Sequence, residues 1–347
     1  MQIIINAGGT GSRLWPLSTA AEPKQFASIV GKDSLISQTV LRLQSEFENI
    51  WVATNTKYLH LAKQQLKHLI MPGKILVEPT KRDTFGAIIA HSCLVAHHTS
   101  VDETLIFISS DHYIDDQKDL HNFCGTLHEV DTAINESKYS IILPATKPYF
   151  ASTEYGYIQI EKSPNRVSSV IEFKEKPGDA KAKEFLEQGN YFWNLGYYGF
   201  SYAGLRDLVG QIYPELLPVL NNIYTKGRID SEDYLQFPEI NFEQGLIEKL
   251  IQIPTLKDKI GAIDMGLTTW DDIGNFETLY GYLPEASADQ TTLEVDGNNN
   301  RVKMQTSRPL ALVGVSGLVI IENKNGILIM DPKKAKNIRK VAKYFDV

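Results

Sequence analysis

The chain has 347 residues, 43% of them hydrophobic and 22% charged, which is the balance of a folded globular protein and excludes intrinsic disorder. A net charge of −7 argues against a nucleic-acid partner, so positive charge for any anionic ligand has to be gathered locally. Two cysteines, Cys93 and Cys124, are too few for a disulfide framework or a four-ligand zinc site, and no apolar stretch reaches the roughly 18 residues of a membrane span.

The first residues already read as a strand, which leaves no room for a signal peptide, and a cytoplasmic protein with buried thiols is expected. Apolar, β-branched runs predict strands at Gln2–Asn6, Ile50–Thr54, Lys74–Val77, Thr104–Ser109 and Ser140–Leu143. Between them, Leu35, Ile36, Val40, Leu41, Leu43 and Phe47 recur at helical spacing, and Ala87 to Val95 forms a second apolar helical face. Strands alternating with helices, each strand apolar along most of its length, predict an α/β fold: an open, mostly parallel sheet with helices on both faces. Ligands of such sheets sit beyond the carboxyl ends of the strands.

From about residue 285 the texture changes. "ASADQTTLEVDGNNNRV" is polar and turn-rich, "ALVGVSGLVIIENKNGILIMD" reads as short strands broken by Gly and Asn, and "PKKAKNIRKVAKY" reads as one basic terminal helix. The expected division is therefore residues 1–283 as the main domain and 284–347 as a small β-rich appendage.

The stretch "INAGGTGSRLWPLSTAAEPKQF" (5–26) follows the first strand. Glycines there let the backbone approach a phosphate, and their N–H groups then point at its oxygens; a tight turn without a ligand is the alternative. A P-loop is excluded, because Lys24 lies 13 residues after Gly11 with no Ser or Thr beside it. A dinucleotide fingerprint is excluded too, because position 14 is Leu where a third glycine is required.

The order G-G-x-G-x-R-L-W-P-L-S followed by P-K-Q-F resembles the signature of the sugar-1-phosphate nucleotidyltransferases, and most closely that of the bacterial mannose-1-phosphate guanylyltransferases. Further blocks agree in order: "EPTKRDTFGAI" (78–88), "ISSDH" (108–112), "STEYGYIQ" (152–159), "FKEKP" (173–177), "YFWNLG" (191–196), "INFEQGLIEK" (240–249) and "TTWDDIGNF" (268–276). The tail is similar to the short β-helix-like domain of that family.

The resemblance implies formation of GDP-mannose and pyrophosphate from GTP and mannose 1-phosphate. A sugar phosphate is already an anionic nucleophile, so the difficulty is repulsion between two anions, and catalysis rests on positioning and charge neutralisation. Arg13 and Lys24 are then the catalytic cations: Arg13, with its bidentate fork, for the leaving β- and γ-phosphates, and Lys24 for the α-phosphate and the incoming sugar phosphate. Pro16 and Pro23 stiffen the loop between them. Ala7, Gly8, Gly9, Gly11, Arg82 and Asp111 are implied on the nucleotide, with Arg82 alternatively holding its own loop. Asp111 and Asp272 are implied as ligands of Mg²⁺, family register favouring Asp272 over its neighbour Asp271. Gly156, Glu175, Lys176 and Asn194 are implied at the sugar phosphate. His112 is expected to pack or to orient its loop, and His97–His98 to end a helix.

The sequence departs from the family pattern at Asn6, Asp83, Phe85-Gly86, Ser109-Ser110, Glu154 and Leu195. Most of these positions lie beside the expected nucleotide and sugar. They keep two alternatives open: a related enzyme using another sugar or base, and a catalytically silent sugar-nucleotide-binding regulator. The expected partners are GTP and a hexose 1-phosphate, with no nucleic acid and no membrane; self-association through the appendage is left open.

Overall fold

The computed structural model describes residues 1–9, 12–114, 117–161, 166–267, 269–286 and 291–345. Two compact units form, and neither follows chain order. The first gathers Met1–Gly8, Arg42–Ser109 and Asp115–Thr269; the second gathers Gly9–Leu41, Ser110–Ile114 and Trp270–Val347.

The first unit is built on strands β1 (Gln2–Asn6), β2 (Ile50–Asn55), β3 (Ile75–Glu78) and β4 (Thr104–Ser109). After β5 (His112–Ile114), which belongs to the second unit, come β6 (Ile141–Thr146), β7 (Gly156–Ile160), β8 (Ser168–Lys174), β9 (Tyr191–Asn194), β10 (Tyr198–Ser201) and β11 (Ile260–Asp264). The expected strands are present, two of them with the limits read from sequence. β3 starts one residue late because Pro72–Lys74 forms a 3-10 turn, with the proline at its first position.

The sheet order is β11-β8-β7-β9-β6-β10-β4-β1-β2-β3, with a further pairing of β11 to β6. The β1–β4 pairs are parallel, as expected for strands joined by helices. Beyond them β8, β9 and β10 run against the others, so the sheet is mixed although most strands share one direction. β8 returns beside β7 after a short connection, as an antiparallel neighbour can, whereas β9 and β10 run the same way as each other on either side of β6.

Ile3, Ile4 and Ile5 are all fully buried, so both faces of β1 are covered. On one face Ile4, Leu105 and Phe107 join a core with Phe85, Ile88 and Ile89 of the helix Asp83–His98. On the other, Gly199 of β10 lies opposite Ile106, and a Cβ there would stand 2.1 Å from Val130 Cγ1 on the helix Gln117–Glu136. Only glycine allows that approach. Cys93 and Cys124 are free and buried, and burial pushes both thiols up to about 11. His97 and His98 close the helix Asp83–His98.

The second unit contains β5 and β12 (Trp270–Asp272), paired antiparallel. Its carboxyl-terminal part is a coil of short strands: β13 (Thr292–Val295), β14 (Arg301–Met304), β15 (Leu310–Val313), β16 (Val319–Asn323) and β17 (Gly326–Met330). β13 pairs in parallel with β15 and β14 with β16, each at a constant offset in chain number. The offset is 18 residues, and the Leu318 N–H donates to Asn300 Oδ1 across the same interval. One winding of chain thus lies on the next, which is a β-helix-like arrangement. The terminal segment expected as one helix begins as a 3-10 turn at Pro332–Asn337, behind an Asp331 cap on the Lys333 N–H, and becomes α-helical at Ile338–Tyr344. Among the described residues no helix is long and apolar enough to cross a membrane.

Candidate active site

Antiparallel pairing of β5 with β12 sets His112 opposite Asp272 and Tyr113 opposite Asp271. Asp111, immediately before β5, is thereby brought to the end of β12. Between the two carboxylates stands Lys24: its Nζ is 2.7 Å from Asp111 Oδ2 and 2.8 Å from Asp272 Oδ1, and it also donates to the Ile273 carbonyl at 3.3 Å. Burial alone would lower the lysine pKa, but attraction by Asp111 and then Asp272 overrides it and raises the value, so the ammonium stays charged. Successive side chains of a strand alternate between faces. Asp271 accordingly takes a different partner, the Tyr282 hydroxyl, which donates to it. His112 packs edge-on against Trp270 with ring centroids 4.9 Å apart, as a loop-holding residue would.

Lys24 opens a 3-10 turn, Lys24–Phe26, after Pro23, and Arg13 lies in another, Ser12–Leu14, half-buried. Gln25 Nε2 donates to the Gly9 carbonyl at 2.8 Å, which ties the glycine turn to the lysine turn. Gly11 lies outside the described residues.

In the first unit, Ala7 extends β1: its N–H donates to the Ala53 carbonyl and its own carbonyl accepts from Thr54 Oγ1. Gly8 follows at the carboxyl end of the strand. A Cβ on Gly8 would lie 3.5 Å from Oε1 of Glu78, the last residue of β3. Glu78 is buried, the Tyr234 hydroxyl donates to its Oε2, and burial pushes its carboxyl up to about 7. Arg82 donates from Nε and Nη2 to the Phe237 carbonyl, at 2.9 and 2.6 Å, which is the loop-holding alternative.

The four residues expected at the sugar also meet in the first unit. Gly156 and Asn194 are direct partners in the β7–β9 pair. A Cβ on Gly156 would sit 2.8 Å from Glu175 Oε2, so the missing side chain makes room for that carboxylate. Lys176 Nζ donates to Glu175 Oε1 at 2.6 Å. Asn194 Nδ2 donates to Glu243 Oε1 at 3.1 Å, and the Tyr198 hydroxyl donates to the same oxygen at 2.6 Å. Burial first, and then repulsion from Glu175, raises the pKa of Glu243. The result is a cluster of carboxylate, amide, phenol and ammonium groups, able to accept and to donate several hydrogen bonds.

A nucleotidyl transferase family model matches residues 2–288, and a MannoseP isomerase/GMP-like beta-helix domain model matches residues 290–344. The chain belongs to the nucleotidyl transferase family. The alginate biosynthesis protein AlgA of Pseudomonas putida is 29% identical over 99% of this chain and 71% of its own length. A mannose-1-phosphate guanylyltransferase of Klebsiella pneumoniae is 26% identical over 98% of this chain and 73% of its own. The crystal structure of a mannose-1-phosphate geranyltransferase from Thermus thermophilus superimposes with a TM-score of 0.84 at 25% identity, covering 100% of this chain and 99% of that one.

In this nucleotidyl transferase, reasoning from sequence did not select Glu78, Tyr198 or Glu243. Glu78 and Glu243 lay within quoted blocks, 78–88 and 240–249, but nothing local marked them. Glu243 opens a π-helical turn, Glu243–Ile247, a rare conformation often found at functional sites. Tyr198 is identified only by its distant partner, 45 positions away.

Proposed function

We propose that the protein forms GDP-mannose and pyrophosphate from GTP and mannose 1-phosphate, and that the residues above carry the reaction. An oxygen of the sugar phosphate attacks the α-phosphorus, the new P–O bond forms, and the bond to the β-phosphate oxygen breaks as pyrophosphate leaves. No proton need move. Lys24 neutralises charge at the α-phosphate and incoming sugar phosphate, and Arg13 holds the leaving phosphates by its fork. Glu175, Asn194 and Glu243 accept from or donate to sugar hydroxyls, while Lys176 meets the phosphate.

Two carboxylates converging on one point form a hard, all-oxygen donor set that suits a magnesium ion completed by phosphate and water. Bound by Asp111 and Asp272, a divalent ion, Mg²⁺ in this reading, supplies further neutralisation of phosphate charge. Until then Lys24 offsets the repulsion between the two carboxylates.

Guanine is favoured by Glu78. Of the common bases only guanine presents two adjacent N–H donors on its pairing edge, and Glu78 in its ionised form, with Oε1 beside Gly8 and Oε2 already accepting from Tyr234, offers acceptor oxygens to them. For this purpose the chain divides into a catalytic part, 1–283, and an appended coil, 284–347.

The observation that carries the reading is the meeting of Lys24, Asp111 and Asp272 in one ion-paired cluster. The test is pyrophosphate release from each of four nucleoside triphosphates with a panel of sugar 1-phosphates. GTP with mannose 1-phosphate should give the highest kcat/KM. Turnover with UTP or dTTP instead would transfer the protein to another base, and tight binding of a sugar nucleotide without turnover would make it a regulator.

A further inference from the structure

The loop that carries Arg13 and Lys24 has little regular structure of its own, only two three-residue 3-10 turns. Its position must therefore be set by contacts from elsewhere, and in the second unit the β-coil supplies many of these, beside the ion pairs of Lys24 and the apolar residues Ile273, Phe276 and Leu279. The turn joining β16 to β17 presents two amide donors to a single carbonyl: Asn323 Nδ2 is 2.7 Å and Asn325 Nδ2 3.0 Å from the Pro16 oxygen. A carbonyl oxygen has two lone pairs, and both donors fit it. The Asn325 N–H donates to Asn323 Oδ1 at 2.9 Å, which fixes the Asn323 amide with its nitrogen turned toward Pro16.

Other contacts bracket the same loop. Lys324 Nζ pairs with Glu22 Oε2 at 2.7 Å, and Lys303 Nζ donates to the Ile29 carbonyl at 3.0 Å. Trp15 stacks on Phe345 with centroids 5.0 Å apart. Gly326 has φ +150, and a Cβ there would lie 2.9 Å from Trp15 Cζ2. Leu14, Trp15 and Leu17 share one apolar cluster with Val319, Ile321 and Leu328.

We propose that the β-coil is a positioning element of the active site: Asn323 and Asn325 act as a clamp on Pro16 that holds Arg13 and Lys24 in register with Asp111 and Asp272. The proposal rests on the roles given to those cations above. Catalysis by charge neutralisation demands accurate placement, and a misplacement of about 1 Å can cost on the order of 10²-fold in rate. The clamp touches no substrate. It sets where the cations stand.

The variant Asn323→Asp/Asn325→Asp removes both donors while leaving the Asn323 acceptor that closes the turn. Its kcat should fall about ten- to hundredfold, a larger factor than any rise in the KM for mannose 1-phosphate, because the hydroxyl-reading residues lie in the other unit. In a Lys24→Ala background the same pair should cost much less, since coupled residues are not additive. Restoring a donor with Asn325→Gln in the Asn323→Asp background should recover part of the rate. Hydrogen exchange followed by mass spectrometry gives a readout independent of turnover: residues 17–26 should exchange at least about tenfold faster in the variant, while β1 stays unchanged. Should the double variant fail to fold, the single Asn325→Asp is read in the same way. Unchanged exchange in 17–26, or losses that add fully to that of Lys24→Ala, would overturn the clamp. Absence of turnover in the unaltered protein would instead count against the functional reading, and the exchange result would still decide the clamp.

Discussion

Two clusters of candidate site residues are built on different plans. The group proposed to read the sugar stands mostly on sheet strands, with Gly156, Asn194 and Tyr198 fixed by backbone ladders and Glu243 brought in from its π-helical turn. The group proposed to handle phosphate is assembled from three remote stretches, with Lys24 at its centre and its partners 87 and 248 positions on in the chain. One is anchored mainly by the ladder hydrogen bonds of its strands. The other is held by ion pairs and by contacts to its loop, so it should be the more fragile to single changes.

The largest effect should come from removing one carboxylate charge. Asp111→Asn and Asp272→Asn should each lower kcat by at least about 10³, measured as pyrophosphate release, whereas Asp271→Asn should be mild because that side chain faces Tyr282. A severe Asp271→Asn defect with an active Asp272→Asn would reverse the assignment. Next come Lys24→Ala and Arg13→Ala, expected to lose about 10²–10³ in kcat; Lys24→Ala should also lower the melting temperature, because it leaves Asp111 and Asp272 facing each other without their cation. Normal turnover by either would refute the cation roles.

Changes in the strand-borne cluster should be smaller and of another kind. Glu243→Gln should raise the KM for the sugar phosphate roughly tenfold, the cost of weakening one charged hydrogen bond, while leaving kcat nearly intact. A kcat defect as large as that of Lys24→Ala would erase the contrast between the clusters. Glu78→Gln should narrow the preference for GTP over other triphosphates about tenfold, as read from competing-substrate assays.

The smallest effect at neutral pH concerns His91, which is 1% exposed, with neither ring nitrogen partnered among the described residues. Burial lowers its pKa to about 4. The unfolded chain therefore binds a proton that the native protein does not between the ordinary histidine value and pH 4. Stability from this residue is complete above about 6.5 and is lost as the pH falls toward 4. Between pH 7.5 and 5 the loss should be about 2 kcal/mol. His91→Leu should flatten that slope in urea melts, and an unchanged slope would remove histidine from the account.

The parallel half of the sheet was legible because β1 to β4 are short, mostly apolar runs separated by helices, the pattern of strands in a helix-covered parallel sheet. The preference for Asp272 came from family register, and the β5–β12 pair supplies its physical counterpart by turning the two aspartates apart. What could not be read depended on distance in the chain. Glu243 needs Asn194 and Tyr198 to have meaning, and Pro16 needs Asn323, 307 positions away. The 18-residue winding of the coil was hidden for a different reason. Its outward positions carry Leu293, Val313, Ile327 and Ile329, so apolar residues lie on both sides and the alternation that marks a half-buried strand is blurred.

The long reach from Lys24 to Asp272 also has a consequence in time. Chains are synthesised from the amino terminus at roughly 5–20 residues per second. The lysine therefore leaves the ribosome about 12–50 s before its second counter-charge exists. The asparagines that hold Pro16 arrive later still. Throughout that interval Leu14, Trp15 and Leu17 lack the apolar partners they meet in the finished coil, and they are exposed to chaperones or to wrong neighbours. The first functional segment to be made is thus the last to be completed.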